Sequence, residues 1–285
     1  MADKISQLPV AAALTGNEQI PMVQGGATVK APASSFFQSG LRNLLINALG
    51  QINQRGYVSG TATIAANQYT VDRWKVVTSG QSLAWATANG VATFTAPAGG
   101  VAQVVEGANV QGGTYVLSWS GNASCTVNGA AVVNGSPFAL AANTDTTVQF
   151  SGGTFAMPQL ERGQFPTRFD WRHFTLEQEL SNRYCQFVST NSGDAFVSAL
   201  AYSTTNAIGY LYLPTAMRAK PAGTTTGVVG MTPPGISGGT GKLSVIPVST
   251  QIMALLVTLT GLTVGLGGYF SASGGAQAIL LDAEL

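Results

Sequence analysis

The chain has 285 residues, of which 9% are charged and 45% hydrophobic, and 13 Lys and Arg against 12 Asp and Glu leave a formal net charge of +1. An ordinary soluble domain carries about 25% charged residues, so polarity here comes mainly from Gly, Ser, Thr, Asn and Gln, as in rigid β-rich structural proteins. The sequence has no basic run that could neutralise nucleic-acid phosphates or dock on anionic lipid, so we expect neither nucleic acid nor a membrane surface as a partner.

The first residues, Met1 to Pro9, lack the basic and apolar regions of a secretory signal, which predicts a chain that folds in a cytoplasm. Cys125 and Cys185 are two isolated cysteines in that reducing compartment, and we interpret both as small buried hydrophobic side chains. The uncharged stretch Ile252 to Phe270 is long enough to cross a bilayer. Its alternating Thr residues and repeated Gly favour paired strands, so we do not expect membrane insertion.

Turn residues and changes of period divide the chain into four zones. At about 100 to 200 residues per domain, the length suits two domains and a leader. The zones are a leader at residues 1–42, a jelly-roll β-sandwich domain at 43–172, a bridging helix at 173–188 and a second β-sandwich domain at 189–285.

The leader predicts a small hairpin. Ile20 to Val23 and Ala27 to Val29 are short apolar pieces separated by the pair Gly25-Gly26, which is typical of a tight turn. A single hairpin is too small to be stable by itself, so we expect it to dock on another surface.

The second zone consists of short strand-like runs. They are Gln68–Val71, Trp74–Val77, Leu83–Trp85, Val101–Val105, Thr114–Trp119 and Thr146–Phe150. Turn dipeptides separate them, among them Asn89-Gly90, Gly99-Gly100, Gly112-Gly113, Asn128-Gly129 and Asn134-Gly135. This spacing predicts an all-β sandwich or jelly roll.

The residues from Phe174 to Phe187 break the strand pattern. Thr175 followed by Gln178 is a capping-box pattern, and apolar residues recur about every four positions as far as Tyr184, so we predict a helix of about three turns. Gly/Thr/Ser-rich strands broken by prolines follow, and the fold class predicted for the whole chain is all-β.

Several segments resemble recurring parts of bacteriophage tail-fibre and virion-appendage proteins. In the leader they are Lys4–Pro9, Ala13–Gly16, Ile20–Gly26 and Thr28–Lys30. The resemblance implies attachment to the particle, with the anchoring residues Ile5, Leu8, Pro9, Ile20, Pro21 and Val23.

A second set of segments looks like the jelly-roll domain of phage fibre proteins, which is similar to carbohydrate-binding modules. These are Asn43–Asn47, Gln51–Gly56, Tyr69–Trp74, Pro158–Gly163, Phe169–Arg172 and Glu179–Gln186. Residues 188–285 are similar in style to fibre C-terminal β domains. The resemblance implies a virion protein assembled in the host bacterial cytoplasm, a homotrimer in contact with other virion proteins and with a host surface glycan or receptor.

The sequence offers little material for catalysis. His173 is the only histidine, and its place at the start of the predicted helix favours a capping or packing role over a part in a nucleophilic triad. One histidine and two distant cysteines do not supply zinc-ligand spacing. The run Gly238 to Leu243 lacks the first Gly and the final Ser or Thr of a phosphate loop. We therefore expect no enzyme activity, metal or cofactor.

Candidate glycan or receptor contacts come from aromatic residues with polar neighbours. Tryptophan can stack on a sugar ring while an acidic and a basic residue bind hydroxyls. A tryptophan on a strand is more often a sandwich core residue, with its charged neighbours in a local salt bridge or turn, and we favour that interpretation for Trp74. The candidates are Asp72, Arg73, Trp74, Trp171, Tyr202, Tyr210, Tyr212 and Tyr269.

The sequence thus predicts a non-enzymatic virion structural protein, a tail-fibre-type subunit involved in host attachment. Two alternatives stay open. One is a purely architectural capsid, collar or adaptor protein whose contacts are all with virion neighbours. The other is a glycan depolymerase with two scattered carboxylates brought together by the fold.

Overall fold

The computed structural model describes residues 19–32, 42–232 and 240–285. In these ranges the chain forms twenty β-strands, one α-helix and one 3₁₀ turn. The all-β class predicted from the sequence is confirmed. The elements are β1 (Gln19–Gln24), β2 (Ala27–Pro32), β3 (Gln68–Tyr69), β4 (Lys75–Val76), β5 (Ala84–Ala88), β6 (Val91–Ala96), β7 (Val101–Val105), the 3₁₀ turn (Gly107–Asn109), β8 (Gly113–Gly121), β9 (Ser124–Val127), β10 (Ala130–Val132), β11 (Pro137–Leu140), β12 (Thr146–Ser151), β13 (Gly153–Arg162), α1 (Phe174–Asn182), β14 (Cys185–Thr190), β15 (Ala195–Ala201), β16 (Asn206–Tyr212), β17 (Ala222–Thr232), β18 (Leu243–Pro247), β19 (Ile252–Thr258) and β20 (Gly267–Asp282).

The predicted leader hairpin is confirmed as β1 paired antiparallel with β2. Gly25 and Gly26 have φ angles of 60° and 80°, so the two-residue turn uses the left-handed region that glycine tolerates. The anchoring candidates Ile20, Pro21 and Val23 are exposed on this hairpin. The other three, Ile5, Leu8 and Pro9, lie outside the described residues.

The first domain is a sandwich of two antiparallel sheets. One sheet has six strands in the order β10-β9-β12-β7-β4-β3, and the other has five in the order β11-β8-β13-β6-β5. Alternate residues of both sheets point inward and form one core, in which the Phe150 and Phe155 rings stack with centroids 4.2 Å apart. The domain buries its apolar surface between the sheets, as a sandwich requires.

Short turns set the register of the first domain. Asn89-Gly90 joins β5 to β6 and Asn128-Gly129 joins β9 to β10, with positive φ angles at all four residues. Asn and Gly are the residues that two-residue hairpin turns of this kind prefer. The turns predicted at these two dipeptides are confirmed.

The bridging helix is shorter than the sequence pattern indicates. α1 ends at Asn182, because the chain from Cys185 onward pairs with β20 as strand β14. Its N-cap is His173, whose Nδ1 accepts a hydrogen bond from the Thr175 amide at 3.3 Å. The expected capping role of His173 is therefore confirmed, whereas the capping box at Thr175 and the extension to Phe187 were wrong.

The second domain consists of seven strands in one antiparallel sheet. The order is β14-β20-β15-β16-β19-β18, and β17 pairs with β20. A bridge between Val229 and Gly241 brings β17 against β18, so the sheet curls round a separate core that includes Leu255 and Phe270. The apolar stretch from Ile252 to Phe270 forms β19 and the start of β20. Among the residues described, no helix is long and apolar enough to span a membrane.

Candidate functional site

Trp74 lies in the centre of the first core. Its side chain is 0% exposed, its ring centroid is 5.3 Å from that of Phe155, and its indole Nε1 donates a hydrogen bond to the Asn47 carbonyl at 3.1 Å. A sugar cannot reach a side chain in this position. The interpretation of Trp74 as a core residue, favoured from the sequence, is confirmed, and its assignment as a glycan contact is corrected.

Asp72 and Arg73 are also buried, at 0% and 1% exposure. Asp72 accepts hydrogen bonds from the Gln54 amide and side chain at 2.8 and 2.7 Å, and Arg73 pairs with Glu284. Their ionic partners lie elsewhere in the chain: Asp72 lies 3.7 Å from Arg55, and the partner of Arg73 is Glu284. Neither residue is available to a glycan or receptor. Of the two local arrangements expected for them, the turn is confirmed, since the Trp74 amide donates to the Val71 carbonyl at 3.0 Å, whereas the salt bridges form with other residues.

Burial dominates the electrostatics of this region. It raises the pKa of Asp72 above its ordinary value, although Arg55 and the Gln54 hydrogen bonds act in the opposite direction. Burial likewise raises the pKa of Tyr69, whose hydroxyl donates to the Leu285 carbonyl at 2.5 Å. Tyr69 thus contacts the last residues of the sequence directly, and Asp72 holds Arg55, which pairs with Asp282; both groups have a structural role.

Trp171 is the exposed member of the first set of candidates. It lies in the segment between β13 and α1, 57% exposed, with its ring edge-to-face on Phe169 at 5.5 Å. The neighbouring Arg172 fixes this segment, since its guanidinium donates to the Leu45 carbonyl at 2.9 Å and pairs with Glu177 at 3.3 Å. Trp171 is accessible to a ligand but lies away from Trp74.

The four candidate tyrosines all lie on the outward side of the second domain. In β16 the residues Ala207 and Gly209 are buried, so the alternating Tyr210 and Tyr212 point outward, at 51% and 68% exposure. Tyr269 at the start of β20 is 40% exposed. Tyr202 follows β15, is 46% exposed, and its amide donates to the Asn206 carbonyl at 3.1 Å.

Strand register places further apolar side chains beside these tyrosines. Tyr210 is opposite Ala254, and Ala254 is opposite Ile246, which is 48% exposed. Leu200 lies on β15 opposite Ile208 of β16 and is 45% exposed. We call this surface the tyrosine face; its principal residues are Leu200, Tyr210, Tyr212, Ile246 and Tyr269.

The tyrosine face carries no charged side chain. Residues 195–217 and 243–281 contain no Asp, Glu, Lys or Arg, and these ranges include β15, β16, β18 and β19. At about 150 to 250 Å² per aromatic side chain, its exposed apolar surface is on the order of 500 Å². Apolar patches of this size on soluble proteins are commonly functional. The tyrosines are recognisable from the sequence, but Leu200 and Ile246 are not, because their place on the face depends on strand pairing.

The groups that could support catalysis are dispersed in the part of the chain that the structure describes. No group of three or more His, Cys, Asp or Glu residues that could hold a metal ion occurs there. Cys125 and Cys185 are free and buried, which confirms their interpretation as small hydrophobic side chains. Burial raises the pKa of Cys125 to about 12 and also raises that of Cys185.

No protein-family model, curated protein or solved structure matches this chain. The resemblance to phage fibre proteins, in the leader and around Tyr69 and Phe169, stays a prediction from the sequence.

Proposed function

We propose that this chain is a non-enzymatic structural subunit of a bacteriophage particle, a tail-fibre-type appendage protein that attaches the particle to its bacterial host. The tyrosine face carries the proposal: an uncharged surface of aromatic and aliphatic side chains on a rigid sheet. In this proposal, the face contacts a glycan on the host surface.

The chemistry of the tyrosine face suits sugar rings. A tyrosine ring packs against the apolar side of a sugar, while its hydroxyl can donate or accept a hydrogen bond. Tyr210 and Tyr269 are on strands separated by β15, so about 10 Å separates their backbones at the usual strand spacing. That distance accommodates neighbouring rings of one glycan chain. Because strands hold the side chains, little conformational entropy is lost on binding.

Weak single contacts are sufficient if many copies act together. Several chains fixed on one particle give a high effective concentration of binding faces, which converts weak binding into tight attachment. The proposed assembly is a homotrimer joined to other virion proteins through the leader. The exposed apolar side chains Ile20 and Val23 of the hairpin support this attachment, since an isolated hairpin needs a surface to dock on.

The experiment measures binding of the purified protein to host cells and to extracted host lipopolysaccharide or capsule. The double variant Tyr210→Ala/Tyr212→Ala should bind about 5- to 150-fold more weakly, since each aromatic contact is worth roughly 0.5–1.5 kcal/mol. Ile64→Ala is the control, because Ile64 is 92% exposed in the first domain and lies off the face. Unchanged binding by the double variant would overturn the assignment of the face.

The architectural alternative predicts a different pattern. If virion neighbours cover the tyrosine face, soluble protein should leave phage adsorption unaffected, while particles carrying the double variant should fail to assemble. Depolymerase activity is tested by incubating the wild-type protein with host polysaccharide. Shortened products would contradict the non-enzymatic proposal.

A further inference from the structure

The two domains have separate cores but meet at a buried polar junction. The first core draws its buried residues from Leu45 to Leu160, and the second from Val197 to Ala283. Each core could therefore be maintained without the other. What joins the domains is a set of hydrogen bonds and ion pairs.

The segment Asp282–Leu285, which we call the strap, makes many of these contacts. Leaving β20, it runs over the first domain, where the Leu285 carbonyl accepts hydrogen bonds from the Tyr69 hydroxyl at 2.5 Å and from the Lys75 ammonium at 2.9 Å. On the side of the second domain, the Arg218 guanidinium donates to the Ala283 and Glu284 carbonyls at 3.0 and 2.9 Å. The strap is thus bonded to both domains.

Charged side chains of the strap pair with two arginines of the first domain. Glu284 pairs with Arg73 and lies 3.4 Å from Arg55, while Asp282 lies 2.7 Å from Arg55. The side chains of Glu284 and Arg73 are 3% and 1% exposed. The Arg73 guanidinium also lies 3.5 Å from the centre of the Tyr184 ring. Removing one charged side chain from such a buried set leaves an uncompensated buried charge, which strongly destabilises the contact.

A second line of contacts runs beside the strap. Arg183 donates to both carboxylate oxygens of Glu106, at 2.8 and 3.0 Å. The Gln54 side chain donates to the Cys185 carbonyl at 2.6 Å and accepts from the Phe187 amide at 3.0 Å. These bonds tie the start of β14 to the first domain.

We propose that the strap is a conformational device: it locks the two domains into one rigid body that unfolds as a unit. Its release would leave two folded domains that move and unfold separately. In the locked form the tyrosine face keeps a fixed direction relative to the first domain. The inference stands on the junction contacts and does not depend on the proposed function.

The test reverses one charge of the strap. Glu284→Lys places a third cation beside Arg73 and Arg55, so the strap should leave the junction while both cores remain intact. The matched control is Glu179→Lys, the same substitution at an exposed position on α1. Asp282→Lys is a second variant, because Asp282 is 38% exposed and tolerates a larger side chain.

The readout compares the urea unfolding of the two domains in the full chain. All four tryptophans lie at or before residue 171, so their fluorescence reports the first domain. Hydrogen exchange of peptides from residues 243–281 reports the second. The wild type and Glu179→Lys should show coincident midpoints, whereas Glu284→Lys should separate them by about 1 M urea.

Coincident midpoints in Glu284→Lys, or separate midpoints in the wild type, would overturn the proposal. If Glu284→Lys does not yield folded protein, the same comparison with Asp282→Lys decides the matter. Limited trypsin digestion gives an independent check: the Ala283 amide of the strap donates to the Tyr184 carbonyl at 2.8 Å, so release should expose the peptide bond after Arg183 to cleavage while the wild type resists it.

Discussion

Trp74→Phe separates the core interpretation of Trp74 from its possible role in binding. The indole is fully buried among Phe94, Phe150 and Phe155, with centroid distances of 5.3–6.2 Å. Phenylalanine keeps an aromatic ring in this position but loses the donor to Asn47 and part of the ring volume.

Two losses set the magnitude. The smaller ring leaves a cavity of roughly 40 Å³, worth about 1 kcal/mol at about 24 cal/mol per Å³. The lost hydrogen bond contributes about 1 kcal/mol more. The Asn47 carbonyl keeps another partner, since it also accepts from the Gly50 amide at 3.1 Å. The free energy of unfolding should therefore fall by about 2 kcal/mol in total.

Urea unfolding followed by far-ultraviolet circular dichroism measures this loss. At a slope of roughly 2 kcal/mol per molar urea, the midpoint should fall by about 1 M. Trp85→Phe is the matched control, because Trp85 is only half-buried and should lose less than about 1 kcal/mol. An unchanged midpoint in Trp74→Phe, or weaker glycan binding without a loss of stability, would refute the reasoning.

Two further predictions concern titratable groups. Burial raises the pKa of Cys125 to about 12 and also raises that of Cys185. Neither thiol should therefore react with a thiol reagent at pH 8 in the folded protein, whereas both should react in urea. Rapid labelling of the native protein would contradict this. Hydrogen bonds from Arg183 hold the pKa of Glu106 below its ordinary value, so ionised Glu106 stabilises the fold above the unfolded pKa, and this contribution is lost as the pH falls through the lower folded pKa. Glu106→Gln should thus lower the free energy of unfolding by up to about 1 kcal/mol at pH 7, and by progressively less as the pH falls through the lowered pKa, as urea unfolding at a series of pH values would show, with Glu179→Gln as the control; a deficit that does not change with pH would show that the charge is not responsible.

Local chemistry made parts of the fold predictable. The hairpin turns at Asn89-Gly90 and Asn128-Gly129 follow from backbone angles that few other residue pairs adopt, so the residues themselves indicate the turn. The all-β class followed from strand-like runs bounded by such turns. The start of the helix was predicted correctly, because the N-cap His173 and the Thr175 amide that it accepts from are close in sequence.

Contacts between distant residues were not predictable. α1 stops at Asn182 because the following strand pairs with residues about 90 positions later, which no local pattern of the helix records. Arg73 and Glu284 are 211 residues apart, so the sequence suggested only a local partner for Arg73. Likewise Ile246 joins the tyrosine face through the register of β18 with β19, whereas the tyrosines could be chosen by residue type alone.

The curl of the second sheet limits how copies of this chain can associate. An open sheet edge offers unpaired amides and carbonyls to which another chain can add a strand. In the described part of this sheet, the bridge between Val229 and Gly241 turns the edges of β17 and β18 toward each other. Apart from the edge of β14, encounters between second domains are thus directed to side chains, where single substitutions can alter affinity without disturbing the sheet.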